Sequence, residues 1–166
     1  LELYWSGYGA RAIPIILKGA FKMVSFPDAV KMFFARYTDF QGRSRRSEYW
    51  WVQLFNFLVM AVGMVLAGIL GSIGASSDGP GPLAYLVFVV LVLYALAVLI
   101  PGIALTVRRL HDVNITGWIL LAALIPFIGS LVGIAIFVIS LIPGTVGPNK
   151  YGPDPKNPGM AADTFV

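Results

Sequence analysis

Three long apolar runs dominate the chain, and the polar residues between them set the expected architecture. The first, from Trp50 to about Ile73, carries no charge. It exceeds the ~20 residues that an α-helix needs to cross a hydrocarbon core about 30 Å thick. The second, Leu83 to Val107, is equally uncharged, and Pro101-Gly102 predicts a kink near its end. The third, Gly117 to Ile142, is interrupted by "IPFIG" from Ile125 to Gly129. Its two pieces, about 9 and 13 residues, would be roughly 14 and 20 Å long as α-helices, too short to cross. A re-entrant hairpin is expected if other helices shelter its turn, with one kinked span as the alternative.

Upstream, Phe26, Val30, Phe33, Phe34 and Tyr37 fall on one face of a helix spanning Ser25 to Tyr37. Ser25 and Asp28 supply a capping signal, and Pro27 suits the first turn. Such a helix can lie in the headgroup region or pack on the rest of the protein. The Gly-, Pro- and Asn-rich "PGTVGPNKYGPDPKNPG" predicts turns. The expected fold is therefore an all-α integral membrane protein. It has an interfacial N-terminal helix, two full transmembrane helices, and a third apolar segment forming a short re-entrant hairpin or one kinked span. Residues 23–155 make one helical membrane domain, 1–22 read as an upstream extension outside the pattern, and 156–166 as a flexible tail.

Composition supports lipid as the main solvent. Of 166 residues, 58% are hydrophobic and 12% charged, against about 25% charged in a soluble domain. The net charge is +4. Basic residues sit before the first run, after the second and beyond the third, whereas "SSDGPGP", Ser76 to Pro82, has none. The positive-inside bias then places the amino terminus and the Arg108 loop in the cytoplasm, and Ser76–Pro82 outside. A hairpin keeps Lys150 and Lys156 inside; a single crossing puts them out. Tyr49, Trp50, Trp51 and Trp118 are the expected interface aromatics. Gly63, Ala67 and Gly71 recur every fourth residue, a stripe that lets another helix approach closely. Gln53 and Asn56 can hydrogen-bond across helices.

The candidate chemistry gathers at the expected inner boundary: Arg43, Arg46, Glu48, Arg108, Arg109, His111 and Asp112. One reading is an internal staple in which Glu48 and Asp112 neutralise arginines. The other uses the surplus of four arginines over two acids to hold an anionic lipid headgroup. A metal site is disfavoured, because His111 is the single histidine and there is no cysteine. The same absence removes disulfides and a thiol nucleophile. Ser44, Ser47 and Ser130 lack a nucleophile-elbow context, and no glycine-rich phosphate loop occurs. No cofactor is expected. Nucleic-acid binding is disfavoured because topology explains the basic residues. A small oligomeric transporter or channel, and an enzyme acting on lipid headgroups, remain as alternatives. The bilayer is the expected partner, together with anionic lipid headgroups, a homo-oligomer or a larger membrane complex.

Three ordered segments, "GRSRRSEYWW", "RRLHDVNITGW" and "PGTVGPNKYGPDP", resemble the domain of unknown function 805 family over roughly Phe33 to Pro155. The family pattern falls on Gly42, Arg43, Arg46, Glu48, Tyr49 and Trp50. It continues on Arg108, Arg109, Leu110, His111, Asp112, Gly117 and Trp118, with Thr116 where a small polar residue commonly stands. It closes on Pro143, Gly144, Asn149, Tyr151 and Gly152. The resemblance implies a small helical protein of the bacterial inner membrane and brings no established activity with it.

Overall fold

The computed structural model describes residues 24–77 and 79–157. The extension 1–22 and the end of the tail, 158–166, lie outside the described residues. Helix α1 is Phe26–Ala35, with Asp28 N–H donating to the Ser25 cap over 3.4 Å and Pro27 in its first turn. Ala29 and Phe33 point inward, onto Tyr49, Val52 and Leu105.

Helices α2 (Arg46–Ser72) and α3 (Pro82–Asp112) are each long and apolar enough to cross a membrane. They run antiparallel. A Cβ at Gly63 would lie 2.3 Å from Leu91 Cδ2, and one at Gly71 2.9 Å from Ala84 Cβ. Ala67 lies half-buried between them. The small-residue stripe is therefore used within the chain, to seat α3 on α2. Farther along, Tyr94 Oη donates to Asn56 Oδ1 over 2.6 Å and ties the two helices by a polar bond. The outer faces are bare: Phe57 is 67% exposed and Leu93 61%. Apolar surface on this scale is untenable in water and suits lipid.

Pro101 lies inside α3, which continues through it. Proline has no N–H, so the carbonyl four residues earlier, Ala97, loses its helical donor. Tyr37 Oη donates to that carbonyl from just beyond α1. The break in α3 thus becomes an anchor for the N-terminal segment.

The third apolar segment adopts the hairpin. Its first arm is a 3-10 helix, Gly117–Leu124, started by Thr116, and its second is α4, Ile128–Leu141. The sequence does not forecast the 3-10 form. A rise of about 2.0 Å per residue stretches this arm to roughly 16 Å, nearer the ~21 Å of α4 than an α-helical turn count would allow. Phe127 takes φ +66° at the tip. A Cβ at Gly129 would meet the Ala123 carbonyl at 2.3 Å, so glycine lets the arms close. Both ends of the hairpin return to the end of α3 that bears Arg108 to Asp112: Thr116 follows it directly, and the Ile142 carbonyl receives Arg109. Among the described residues there is no strand, only isolated bridges at Ser76–Gly79 and Asn149–Gly152.

Candidate functional site

Asp112 is the node of the site. It closes α3 and is 2% exposed. Arg109, one turn earlier on the same face, donates from Nη1 to Oδ2 over 2.5 Å. Arg43 arrives from the segment before α2 and donates from Nε to Oδ1 over 3.0 Å. The carboxylate is thereby held by two guanidinium groups at once. Each arginine then reaches onward to carbonyls. Arg43 Nη1 donates to Gly147 over 2.7 Å and its Nη2 to Thr145 over 2.5 Å. Arg109 Nη2 donates to Ile142, at the end of α4. The Asp112 carbonyl accepts from both the N–H and the hydroxyl of Thr145, over 2.8 and 3.0 Å. Segments far apart in sequence are thus locked through one residue.

A second node surrounds Arg108, which is fully buried. Its Nε donates to Ser44 Oγ over 3.0 Å, and that hydroxyl donates to Glu48 Oε1 over 3.1 Å. Its Nη1 donates to the carbonyls of Arg36 and Asp39. Nη2 stands 3.8 Å from Glu48 Oε1, an ion pair without a hydrogen bond. Asp39 lies outside the helices and is half-exposed. Burial works to raise its pKa, but the Arg36 hydrogen bond, the Gln41 N–H and the nearby positive charges outweigh it and hold the value below the ordinary one.

The tail completes the site. His111 stacks on Tyr151 with ring centres 3.7 Å apart and planes 6° from parallel. Its Nδ1–H donates to the Gly42 carbonyl over 3.2 Å. Asn149 Nδ2 donates to the His111 carbonyl over 2.9 Å, and Asn149 Oδ1 accepts from Tyr151 N–H. Gly152 takes φ +134° and offers its carbonyl to Arg43 over 3.4 Å. Gly144 lies against the Asp112 carboxylate, and Pro143 precedes it on the exposed side.

Of the residues singled out in the sequence, Arg43, Glu48, Arg108, Arg109, His111 and Asp112 come together. Arg46 does not join them. It stays exposed and donates to the Leu141 carbonyl over 2.9 Å, at the end of α4. Tyr49 is buried in the core beneath. Trp50 donates to the Ser140 carbonyl over 3.2 Å, and Trp51 to Val24 over 3.1 Å. Trp118 is 77% exposed.

Three further residues belong to the site: Ser44, which the sequence raises only as a disfavoured nucleophile, and Thr145 and Asp154, which it does not single out. Asp154 changes the charge count. It is 6% exposed and accepts from the N–H of Gly147 over 3.1 Å, giving the tail loop its shape. Among the described residues the buried charges then balance, Arg43, Arg108 and Arg109 against Glu48, Asp112 and Asp154. Excess positive charge lies outside this set. Lys31, Arg36 and Arg45, with Asp28 and the edges of Arg43 and Glu48, border a groove of about 520 Å³ between α1 and the tail. Among the described residues, no group of three or more His, Asp or Glu side chains could hold a metal ion.

Fold and site together define an all-α membrane protein whose polar residues converge at one end of two apolar helices. The family model described as "Protein of unknown function (DUF805)" matches residues 37–153, and the chain belongs to that family. It is 42% identical over 120 residues to "Inner membrane protein YhaI" of Escherichia coli (strain K12), covering 72% of this chain and 88% of that one. It is 38% identical to "Inner membrane protein YhaH" of the same organism, covering 72% and 89%. No solved structure matches the chain.

Proposed function

We propose that the protein is a non-enzymatic, multi-pass component of the bacterial inner membrane. It crosses twice with its amino terminus in the cytoplasm. The arginine–carboxylate network braces the cytoplasmic ends of the helices into a rigid platform, and the groove beside α1 takes an anionic lipid headgroup. The observation that carries this reading is the division of charge. The buried arginines direct most of their donors to Asp112, Ser44 and carbonyls, with only Arg108 Nη2 and Arg109 Nε lacking a hydrogen bond, whereas the basic groove lies beside an amphipathic helix at the same end. Basic pockets next to cytoplasmic helix ends suit phosphate-bearing lipids.

Native mass spectrometry of the purified protein with phosphatidylglycerol and phosphatidylethanolamine tests the lipid half. The wild type is expected to retain phosphatidylglycerol. Lys31→Glu, an exposed change, reverses one charge at ~1 kcal/mol per unit and should weaken retention about 25-fold. Equal retention by both would remove the headgroup site. Topology is tested separately by cysteine labelling in cells. Ser77→Cys is expected to react from outside and Lys156→Cys from inside only; external labelling of the latter would overturn the platform.

A further inference from the structure

We infer that a second cavity, on the lipid-facing side of α3, is a binding site for an uncharged ring-headed membrane lipid of the isoprenoid quinone class. Several motif residues at the edge of the brace also face this cavity. His111, Thr116, Trp118 and Tyr151 border a cavity of about 530 Å³, within the ~300–1,000 Å³ of small-molecule sites. Its floor is Ile103 and Val107 of α3. The 3-10 arm lies directly on that floor, because a Cβ at Gly117 would come within 2.7 Å of Val107 Cγ1.

The chemistry of the walls selects the head. No lysine, arginine, aspartate or glutamate is among the residues bordering the cavity; Lys150 stands beyond them, its Nζ 4.9 Å from the Tyr151 ring centre, so a charged head would find no direct partner in the lining. Four of the bordering side chains are aromatic or imidazole rings: Phe40, His111, Trp118 and Tyr151. His111 and Tyr151 stack on each other and Lys150 Nζ stands over the Tyr151 ring at 4.9 Å, so a planar ring would stack on the His111 side of the pair. Two polar groups have capacity left. With Nδ1–H committed to Gly42, the neutral His111 ring keeps Nε2 as an acceptor, and no described residue donates to it. Thr116 Oγ1 accepts from Trp118 N–H and retains its hydroxyl proton for donation. One acceptor and one donor match the hydroxyl or carbonyl oxygens of a quinol or quinone ring.

The surroundings select the tail. Ile103 and Leu120 also border a second groove of about 420 Å³, which runs past Tyr94 and Met60. The two grooves make one trough along α3 from His111 to Tyr94, about 26 Å at the α-helical rise. The trough is walled mainly by apolar side chains, with Gln53 and Thr106 and the mutually bonded Asn56 and Tyr94 as its polar points, and fits an isoprenoid chain lying along the helix. This inference is independent of the headgroup groove beside α1, which lies across the brace.

Ubiquinone-2 is the probe, with the protein in nanodiscs of phosphatidylcholine and bound quinone extracted and quantified against protein-free discs. Saturable binding is expected for the wild type. Leu121→Trp fills the cavity from a position that is 56% exposed, so it leaves folding intact, and should weaken binding at least ~10-fold. His111→Asn keeps a donor for Gly42 and removes the Nε2 acceptor; it should weaken binding about 10-fold. Leu93→Trp, exposed on α3 away from the trough, should bind as the wild type does. Linear partitioning indistinguishable from protein-free discs would overturn the proposal. So would equal losses in Leu93→Trp, or no effect of His111→Asn. Displacement by oleyl alcohol as potent as by the quinone would overturn the ring assignment.

Discussion

Replacing Asp112 by alanine is expected to cost about 3–5 kcal/mol, the usual penalty for removing one partner of a buried ion pair. The loss has two parts. Arg43 Nε and Arg109 Nη1 lose their shared acceptor, and two guanidinium groups that are almost wholly buried are left without the carboxylate between them. Neither side chain can swing into water without also releasing the carbonyls of Thr145, Gly147 and Ile142. The tail loop and the hairpin end should therefore loosen together. Asp112→Asn keeps the shape and one acceptor oxygen but removes the charge, and should fall between alanine and wild type. Thermal melting in a mild detergent reads the first effect, and hydrogen exchange at residues 143–154 reads the second. A wild-type melting temperature for Asp112→Ala would show that the guanidinium groups do not depend on this carboxylate. The pair is costly to break; that does not make it a source of net stability over an apolar substitute.

The large-scale architecture was legible because lipid imposes it. Uninterrupted apolar runs of spanning length have few other uses, and α2 and α3 fall on them with extra turns at the charged ends. The hairpin was legible at Pro126 and Gly129, where an unbroken helix is disfavoured, although the 3-10 form of its first arm was not. The site was half legible. Charge placement marked Arg43, Arg108, Arg109 and Asp112. It could not separate Arg43 from Arg46, which differ by three positions but by the whole start of α2: Arg43 precedes the helix and turns into the site, whereas Arg46 opens the helix and faces its outside. The rest was hidden because backbone carbonyls are its main acceptors, and every residue has one. Thr145 acts through such bonds. So does Tyr37, whose partner is the carbonyl orphaned by Pro101, 60 residues away in sequence. Ser44, which links the side chains of Arg108 and Glu48, has no charge to mark it. Asp154 was hidden by its setting in "GPDP", which reads as a turn and is one, yet it also balances the buried charge.

Gly144→Ala is expected to be nearly as harmful as losing part of the network, although it adds one methyl group to a loop. A Cβ there would fall 1.9 Å from Asp112 Oδ2 and 2.5 Å from its Cγ. An unpinned carboxylate would rotate aside. This one is held from two directions by Arg43 and Arg109, so either the pair lengthens or residues 143–145 move off. Overpacking of a filled site costs about 1–3 kcal/mol, and the disturbed ion pair adds to it. The mechanism makes a sharper statement through the double mutant. In the Asp112→Ala background the obstacle is gone, and Gly144→Ala should then cost almost nothing. The coupling between the two changes should reach about 1–3 kcal/mol, in the range of residues that share one polar network. Additive losses in the melting cycle would mean that the methyl group strikes the backbone around Thr145 instead. The glycine would then serve the turn alone, and the carboxylate would be free of it.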